Sequence, residues 1–251
     1  MLPQLIREED AEGRAEALRQ TYSLLYSVSF RKMLGQIPVE MIFPTEDFLE
    51  AGKLVMVLKA FLYENYKVPI VCIESPSRRI YVVDGHHRLL VYRLFNEHNI
   101  RSYLLIPEGE VEYYKPVKNV MDLGILKTPI LREDVPFLNA VKILLYYRRV
   151  YGEDFYFEHR IVDLLSLIPT QPSVSAEGLT YWSERYSPIT CLEHLGKLYV
   201  LDGHTRAYAR LLKKEYSVEA LVIRSKISIP FNIVRLVERF GMKSIKDLVI
   251  Y

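Results

Sequence analysis

Two pentapeptides carry the residue types from which a phosphate site can be built: Asp84-Gly-His-His-Arg88 and Asp202-Gly-His-Thr-Arg206. Each follows an apolar, β-branched run (Ile80-Tyr-Val-Val and Leu198-Tyr-Val-Leu) and precedes a helix-like pattern: Leu89, Leu90, Leu94 and Phe95 in the first copy, Ala207, Ala209, Leu211 and Leu212 in the second. Both peptides are therefore expected at a strand-to-helix turn. There the first N–H groups of a helix have no partner and the helix dipole is positive, which suits a bound anion. Gly85 and Gly203 admit a positive φ and let an anion approach the backbone. His86, His87 and His204 contribute N–H groups and imidazoles, and Arg88 and Arg206 offer a planar fork for phosphate oxygens. Asp84 can cap the helix or hold a metal ion or hydroxyl. Taken singly, these are a common turn, a common cap and a solvated arginine. Their recurrence in one context favours the functional reading.

The elements that carry the two turns are themselves repeated. At an offset of 125 (130 minus 5), Leu5-Ile-Arg-Glu-Glu9 meets Ile130-Leu-Arg-Glu-Asp134, Tyr22 meets Tyr147, Tyr26 meets Tyr151, Phe30 meets Phe155, and Pro44-Thr-Glu46 meets Pro169-Thr-Gln171. The second half then loses residues, and the register ends at 118 (202 minus 84). We expect an α/β (α+β) chain of two tandem halves, 1–125 and 126–251. Each reads as a helical stretch, a loop, a strand-like segment, a helix, a strand, the Asp-Gly-His turn, a helix and a closing strand. The opening helices are expected over Glu12 to Phe30 and Phe137 to Arg149, the closing strands over Tyr103 to Ile106 and Ala220 to Ile223. Pro107 to Thr128, with prolines at 107, 116 and 129, reads as a linker. The tyrosines spaced i, i+4 on the opening helices read as a packing stripe.

Composition narrows the classes. Half of the 251 residues are hydrophobic, enough for sizeable cores, and a net charge of +2 gives no broad electrostatic case for nucleic acid. The start, with Arg7, Glu8, Glu9 and Asp10, is unlike a secretory leader, and no apolar run reaches membrane-spanning length, so the expectation is a cytoplasmic protein without a membrane partner. Cys72 and Cys191 occupy matching apolar runs and read as buried thiols; no second cysteine or nearby histidine stands at zinc-ligand spacing. Trp182, Tyr181 and Tyr186 read as packing residues, with a pocket lining as the sharper alternative.

With these residues in place, the chain resembles the ParB/sulfiredoxin superfamily over about residues 37–106 and again over 162–224. The resemblance implies a compact α/β fold and a nucleotide-phosphate site at the Asp-Gly-His turn. Sulfiredoxins place a reactive cysteine in the turn, where this chain has His86 and His87, or His204 and Thr205. ParB proteins add a DNA-binding helix-turn-helix, for which no basic recognition helix follows either motif. The motif is nearest that of archaeal ADP-dependent free serine kinases, which places Glu46, in Phe43-Pro-Thr-Glu46, as general base for a substrate hydroxyl. Without the resemblance Glu46 reads as a cap or a solvated loop residue. The implied site has Glu46, Asp84 and His87 as catalytic residues. Gly85, His86 and Arg88 hold ADP or ATP, and Asp84 helps place Mg²⁺. The second half keeps Asp202, Gly203, His204 and Arg206 but has Gln171 for Glu46 and Thr205 for His87, so it is expected to bind a nucleotide weakly or to serve as a structural partner. The expected activity is phosphoryl transfer to a small hydroxyl metabolite such as serine. The alternatives are a ParB-like DNA binder or nuclease, which the charge balance disfavours, and a nucleotide-binding module without catalysis.

Overall fold

A computed structural model describes residues 5–251 apart from 112, 114, 153, 154, 183, 184, 227 and 228. The chain divides into two compact units, Met1–Pro129 and Ile130–Tyr251.

The first unit opens with α1 (Glu8–Tyr26), whose first turn carries Glu8, Glu9 and Asp10 where the helix dipole favours acids. Its end is set by Ser27, which turns into the left-handed region at φ 54°. There follow β1 (Phe30–Pro38), β2 (Ile42–Pro44), β3 (Phe48–Glu50), α2 (Ala51–Glu64), β4 (Ile70–Glu74), β5 (Ile80–Asp84), α3 (His86–Leu94), β6 (Asn99–Pro107) and β7 (Gly124–Leu126). Five strands form a mixed sheet in the order β1-β6-β4-β5-β2, and β3 pairs with β7 in a separate ribbon. β4 lies between an antiparallel β5 and a parallel β6. Ile70, Val71, Cys72 and Ile73 are all buried, as expected of a strand covered on both faces. One core layer joins Ala11 and Ala15 of α1 to Phe30, Val71, Ile73, Tyr81 and Leu105 of the sheet.

The second unit repeats this plan with α4 (Val135–Tyr151), β8 (Phe155–Asp163), β9 (Leu167–Pro169), β10 (Ser173–Val174), α5 (Ala176–Trp182), β11 (Ile189–His194), β12 (Lys197–Asp202), α6 (His204–Leu212), β13 (Ser217–Ser225), α7 (Asn232–Phe240) and β14 (Val249–Ile250). Its sheet order, β8-β13-β11-β12-β9, is that of the first unit element for element. The fold is α/β with a two-fold internal repeat.

Three expectations change. Phe30 opens a strand instead of closing a helix, because α1 ends at Tyr26, where Ser27 turns the backbone left-handed, and α4 runs past Arg149 to Tyr151, where Gly152 does the same. The closing strands are longer than their apolar centres, running over nine residues each, because β1 and β8 pair with their full lengths. The third change concerns 107–128, which is not a linker throughout. Asn119 caps the one-turn helix Val120–Asp122, β7 follows and pairs in parallel with β3, and the matching one-turn helix Ile245–Asp247 and β14 stand again at an offset of 125 (249 minus 124). This segment belongs to the first unit's fold.

The aromatic stripe packs as expected. Tyr22 and Tyr26 pack on Tyr113 and on Phe30, and Tyr147, Tyr151 and Phe155 gather on Phe231. Cys72 and Cys191 are buried and free, and burial pushes both thiols up to about 12. No helix among the described residues is long and apolar enough to cross a membrane.

Candidate functional site

The first Asp-Gly-His turn joins β5 to α3 through Gly85, at φ 104°. A Cβ on Gly85 would stand 2.5 Å from Ile70 Cγ2 and 2.9 Å from Arg88 Nη2, so the turn needs glycine for both conformation and space. The first helical bond of α3 runs from Leu89 N–H to the Gly85 carbonyl at 2.9 Å. The N–H groups of His86, His87 and Arg88 therefore precede the helical ladder, at the positive end of a nine-residue helix.

The His86 imidazole points away from that end. It is 3 % exposed, and its Nε2 accepts the Thr45 N–H at 3.1 Å. Nε2 is thus the acceptor nitrogen, Nδ1 carries the proton, and Nδ1 lies 3.3 Å from Glu46 Oε1. Burial lowers the His86 pKa to about 4, so the ring that orients Glu46 is neutral at pH 7. The Thr45 hydroxyl donates to the Val82 carbonyl at 2.9 Å, tying the same loop to β5. Burial also raises the Glu46 pKa, opposed by Lys53 and reinforced by Asp84 and Glu50. His87 fastens the far end of the loop: its Nε2 accepts the Glu50 N–H at 3.1 Å, and burial, aided by Lys53, lowers its pKa to about 4.

Arg88 is not a free fork. It is 4 % exposed and donates through Nη1 to the carbonyls of Val68 (3.3 Å) and Pro69 (2.6 Å), and through Nη2 to Asp84 Oδ2 (2.9 Å). Its charge reaches the turn from beneath Gly85, while its donors hold β4 and β5 together. An exposed cation, Arg14 of α1, stands beside the turn, its Nη1 3.6 Å from Asp84 Oδ1. Asp84 thus links a buried arginine to an exposed one.

The segment that reads as a linker completes the site from the other side. β7 pairs with β3, Gly124 N–H donates to the Asp47 carbonyl at 3.0 Å, and Lys118 pairs with the Asp47 carboxylate. Thr128 Oγ1 accepts the Gly52 N–H at 2.7 Å, capping the first turn of α2 from outside the helix. The loop bearing Glu46 is held between the two histidines and this returning strand.

These groups surround a cavity of about 620 Å³, lined among others by Arg14, Glu46, Lys53, Tyr66, Asp84 and His87. The size falls within the range of small-molecule sites, roughly 300–1,000 Å³. Glu46, Asp84, Gly85, His86, His87 and Arg88 are brought together here, as the motif reading requires. Arg14, Lys53, Tyr66 and Thr128 are not legible from the motif, because they come from α1, α2 and the loops after α2 and β7. Comparison of the two halves holds a signal for two of them: Arg14 meets Asn139 and Lys53 meets Gly178, alongside Glu46 meeting Gln171.

The donor set suits an anion, with a glycine turn, the first N–H groups of α3 and the exposed cations Arg14 and Lys53 on one cavity. It does not make a resident metal cage. Among the described residues no three His, Cys, Asp or Glu side chains come together as ligands, and both Asp84 oxygens face arginines. The expected Mg²⁺ therefore has no carboxylate cage of its own among the described residues.

In the second unit Gly203 takes φ 97°, Thr170 N–H donates to His204 Nε2 at 2.9 Å, and Arg206 Nη2 pairs with Asp202 Oδ2 at 2.8 Å. The turn is the same; its surroundings are not. Gln171 turns its amide to the Ser173 carbonyl at 2.7 Å, α5 has 7 residues where α2 has 14, and the cavity shrinks to about 170 Å³. A Cβ on Gly178, which stands where the first unit has Lys53, would lie 3.1 Å from Thr205 Cγ2 and 2.8 Å from Ser175 Oγ, so α5 closes directly over the turn. Trp182 covers Arg206, its ring centre 4.9 Å from the guanidinium carbon.

No family model matches the chain, and no curated protein matches it. Among solved structures it is similar to protein Atu1540 from Agrobacterium tumefaciens, at 15% identity and a TM-score of 0.29, over 36% of this chain and 61% of that one.

Proposed function

We propose that the first unit transfers a phosphoryl group from ADP or ATP to the hydroxyl of a small metabolite, the reaction implied by its resemblance to the ADP-dependent serine kinases. The observation that carries this reading is Glu46. Its carboxylate faces His86 Nδ1–H at 3.3 Å and lines the same cavity as the start of α3, Arg14 and Lys53. Phosphoryl transfer asks a protein mainly for positioning and charge neutralisation, together with a base for the attacking hydroxyl. The N–H groups of His86, His87 and Arg88 receive phosphate oxygens, and Arg14 and Lys53 offset their charge. The acceptor oxygen forms its bond to phosphorus while its proton passes to Glu46. The bridging bond of the donor breaks, and the leaving phosphate keeps the electron pair. Burial raises the Glu46 pKa and so makes it a better proton acceptor than a solvated carboxylate. His86 is a positioning residue, holding Glu46 by Nδ1 and Thr45 by Nε2.

Incubation with ADP or ATP and a panel of small alcohols, serine among them, is expected to give a phosphomonoester and a nucleotide shorter by one phosphate. Absence of both nucleotide binding and transfer would reject the reading. Nucleotide binding without transfer to any alcohol would leave a binding module, and metal-dependent cleavage of DNA would favour a nuclease.

A further inference from the structure

The two five-stranded sheets end on edge strands of unlike character. Among the described residues β1 pairs with β6 alone and β8 with β13 alone, so each leaves one row of backbone N–H and C=O groups with no strand beside it. On β1 the flanking bonds assign that row. The Ser29 carbonyl accepts the Glu108 N–H at 2.8 Å, and Val39 N–H donates to the His98 carbonyl at 2.9 Å. In an antiparallel ladder the odd-numbered residues therefore turn their backbone to β6, and Lys32, Leu34 and Gln36 turn theirs outward. The row is closed at both ends: the Phe30 carbonyl accepts Arg19 Nη1 at 3.3 Å, and Pro38 has no N–H to give. Between these ends Met33-Leu34-Gly35-Gln36 is uncharged and exposed, Met33 at 46 % and Leu34 at 51 %. β8 centres instead on Glu158-His159-Arg160, which pair with Arg224, Glu219 and Glu193 respectively. Charge at the middle of an edge strand discourages pairing, and the middle of β1 has no such guard.

From these observations we infer that β1 pairs antiparallel with β1 of a second copy of this chain, about a two-fold axis at Leu34, so that two five-stranded sheets become one. The strand is complementary to itself in this register. Leu34 meets Leu34 of the second copy as a hydrogen-bonded pair, and Lys32 meets Gln36 on either side, giving about six backbone hydrogen bonds, two at each opposed pair. Specific interfaces carry roughly 10 ± 5. On the opposite face Met33 meets Gly35, whose missing side chain leaves open space for the thioether; nothing lies within 4 Å of a Cβ built there. The cations do not oppose one another, since Arg31 meets Ile37 and Lys32 meets Gln36, while Lys32 Nζ stays with Glu12 and Glu16 of α1 at 3.3 and 3.4 Å. The same strand on both sides makes the contact isologous, so it closes at a dimer. The inference uses no residue of the cavity in the first unit and does not depend on its chemistry.

Sedimentation equilibrium of the full chain, over a dilution series reaching high micromolar concentration, is expected to show a monomer–dimer equilibrium. Leu34→Lys sets like charges against each other on the axis and should raise the dissociation constant on the order of 100-fold, with the far-UV circular dichroism of the parent kept because the side chain is exposed. Ile161→Lys, at the matching exposed edge of β8, should leave the equilibrium unchanged. Leu34→Cys should give a covalent dimer under mild oxidation, because a hydrogen-bonded antiparallel pair holds its Cα atoms about 5.5 Å apart, within disulfide reach, and Cys72 and Cys191 are buried. The inference is overturned if the parent is monomeric throughout the series, if Leu34→Lys associates as the parent does, if Ile161→Lys dissociates the dimer, or if Leu34→Cys stays uncrosslinked.

Discussion

His86 Nδ1 lies 3.3 Å from Glu46 Oε1 while Nε2 of the same ring receives the Thr45 N–H at 3.1 Å, so one buried imidazole sets both the backbone and the side chain of the proposed base. His86→Ala should therefore lower kcat on the order of 10²-fold, the scale of a misplacement near 1 Å, with little change in nucleotide affinity. Loss of the Thr45 acceptor should cost about 1–3 kcal/mol of stability as well. Stopped-flow turnover beside a nucleotide titration separates the two. An equal loss in affinity and in kcat would place His86 in ligand binding instead. The acidic limb of the parent's kcat profile should lie above the ordinary carboxylate range, since the Glu46 pKa is raised, and it should move down when burial or orientation is lost in the variant.

Acid should unfold this protein partly through its turn histidines. His86 and His204 have pKa values lowered by burial from 6.5 to about 4. In the unfolded chain they bind protons near pH 6.5, and in the folded one only near pH 4. Their contribution is fully present above the unfolded value and is lost as pH falls from about 6.5 through 4, on the order of 3 kcal/mol for each ring. Denaturant midpoints measured between pH 7.5 and 4.5 should fall accordingly. In His204→Asn the slope should be smaller by close to one proton; an unchanged slope would exclude His204 as a contributor.

Gly85→Ala and Gly203→Ala should each destabilise by more than about 1 kcal/mol, because the new Cβ meets both a positive φ and a contact of 2.5 Å or 2.7 Å with an isoleucine of the neighbouring strand. Thermal melts would show it. At Gly152, where nothing lies within 4 Å, alanine meets the strained φ alone and the loss should be smaller.

Thr128→Val removes the hydroxyl that caps α2 at Gly52 and should cost about 1 kcal/mol. Because the same return of the chain brings β7 alongside β3, kcat should fall with it and nucleotide affinity should stay. Full activity in Thr128→Val would show that the cap is structural only.

Much of this arrangement is legible in the residues because local chemistry dictates it. A β-branched run, a glycine and a helical pattern place both turns, and the repeat exposes the common architecture. Glu46 is legible only through resemblance, since Thr45-Glu-Asp47 taken alone is an ordinary loop. Arg14 and Lys53 reach the cavity through tertiary packing of α1 and α2, which no local pattern encodes. Arg88 misleads for a physical reason. A motif reading turns charge outward, but the carbonyls of Val68 and Pro69 offer acceptors inside, and a guanidinium with three partners can be buried. The return strand is missed because Pro107 and Pro116 look like breakers, although Val120-Met-Asp-Leu123 and Ile245-Lys-Asp-Leu248 match at the original offset.

The most direct measurement is single-turnover phosphoryl transfer and nucleotide affinity in Glu46→Gln beside the parent protein. Glu46→Gln keeps the shape and a partner for the loop but cannot take a proton. Transfer should be slowed by about 10²- to 10⁴-fold with ADP or ATP bound as tightly as before. Transfer at the parent's rate in Glu46→Gln would contradict it.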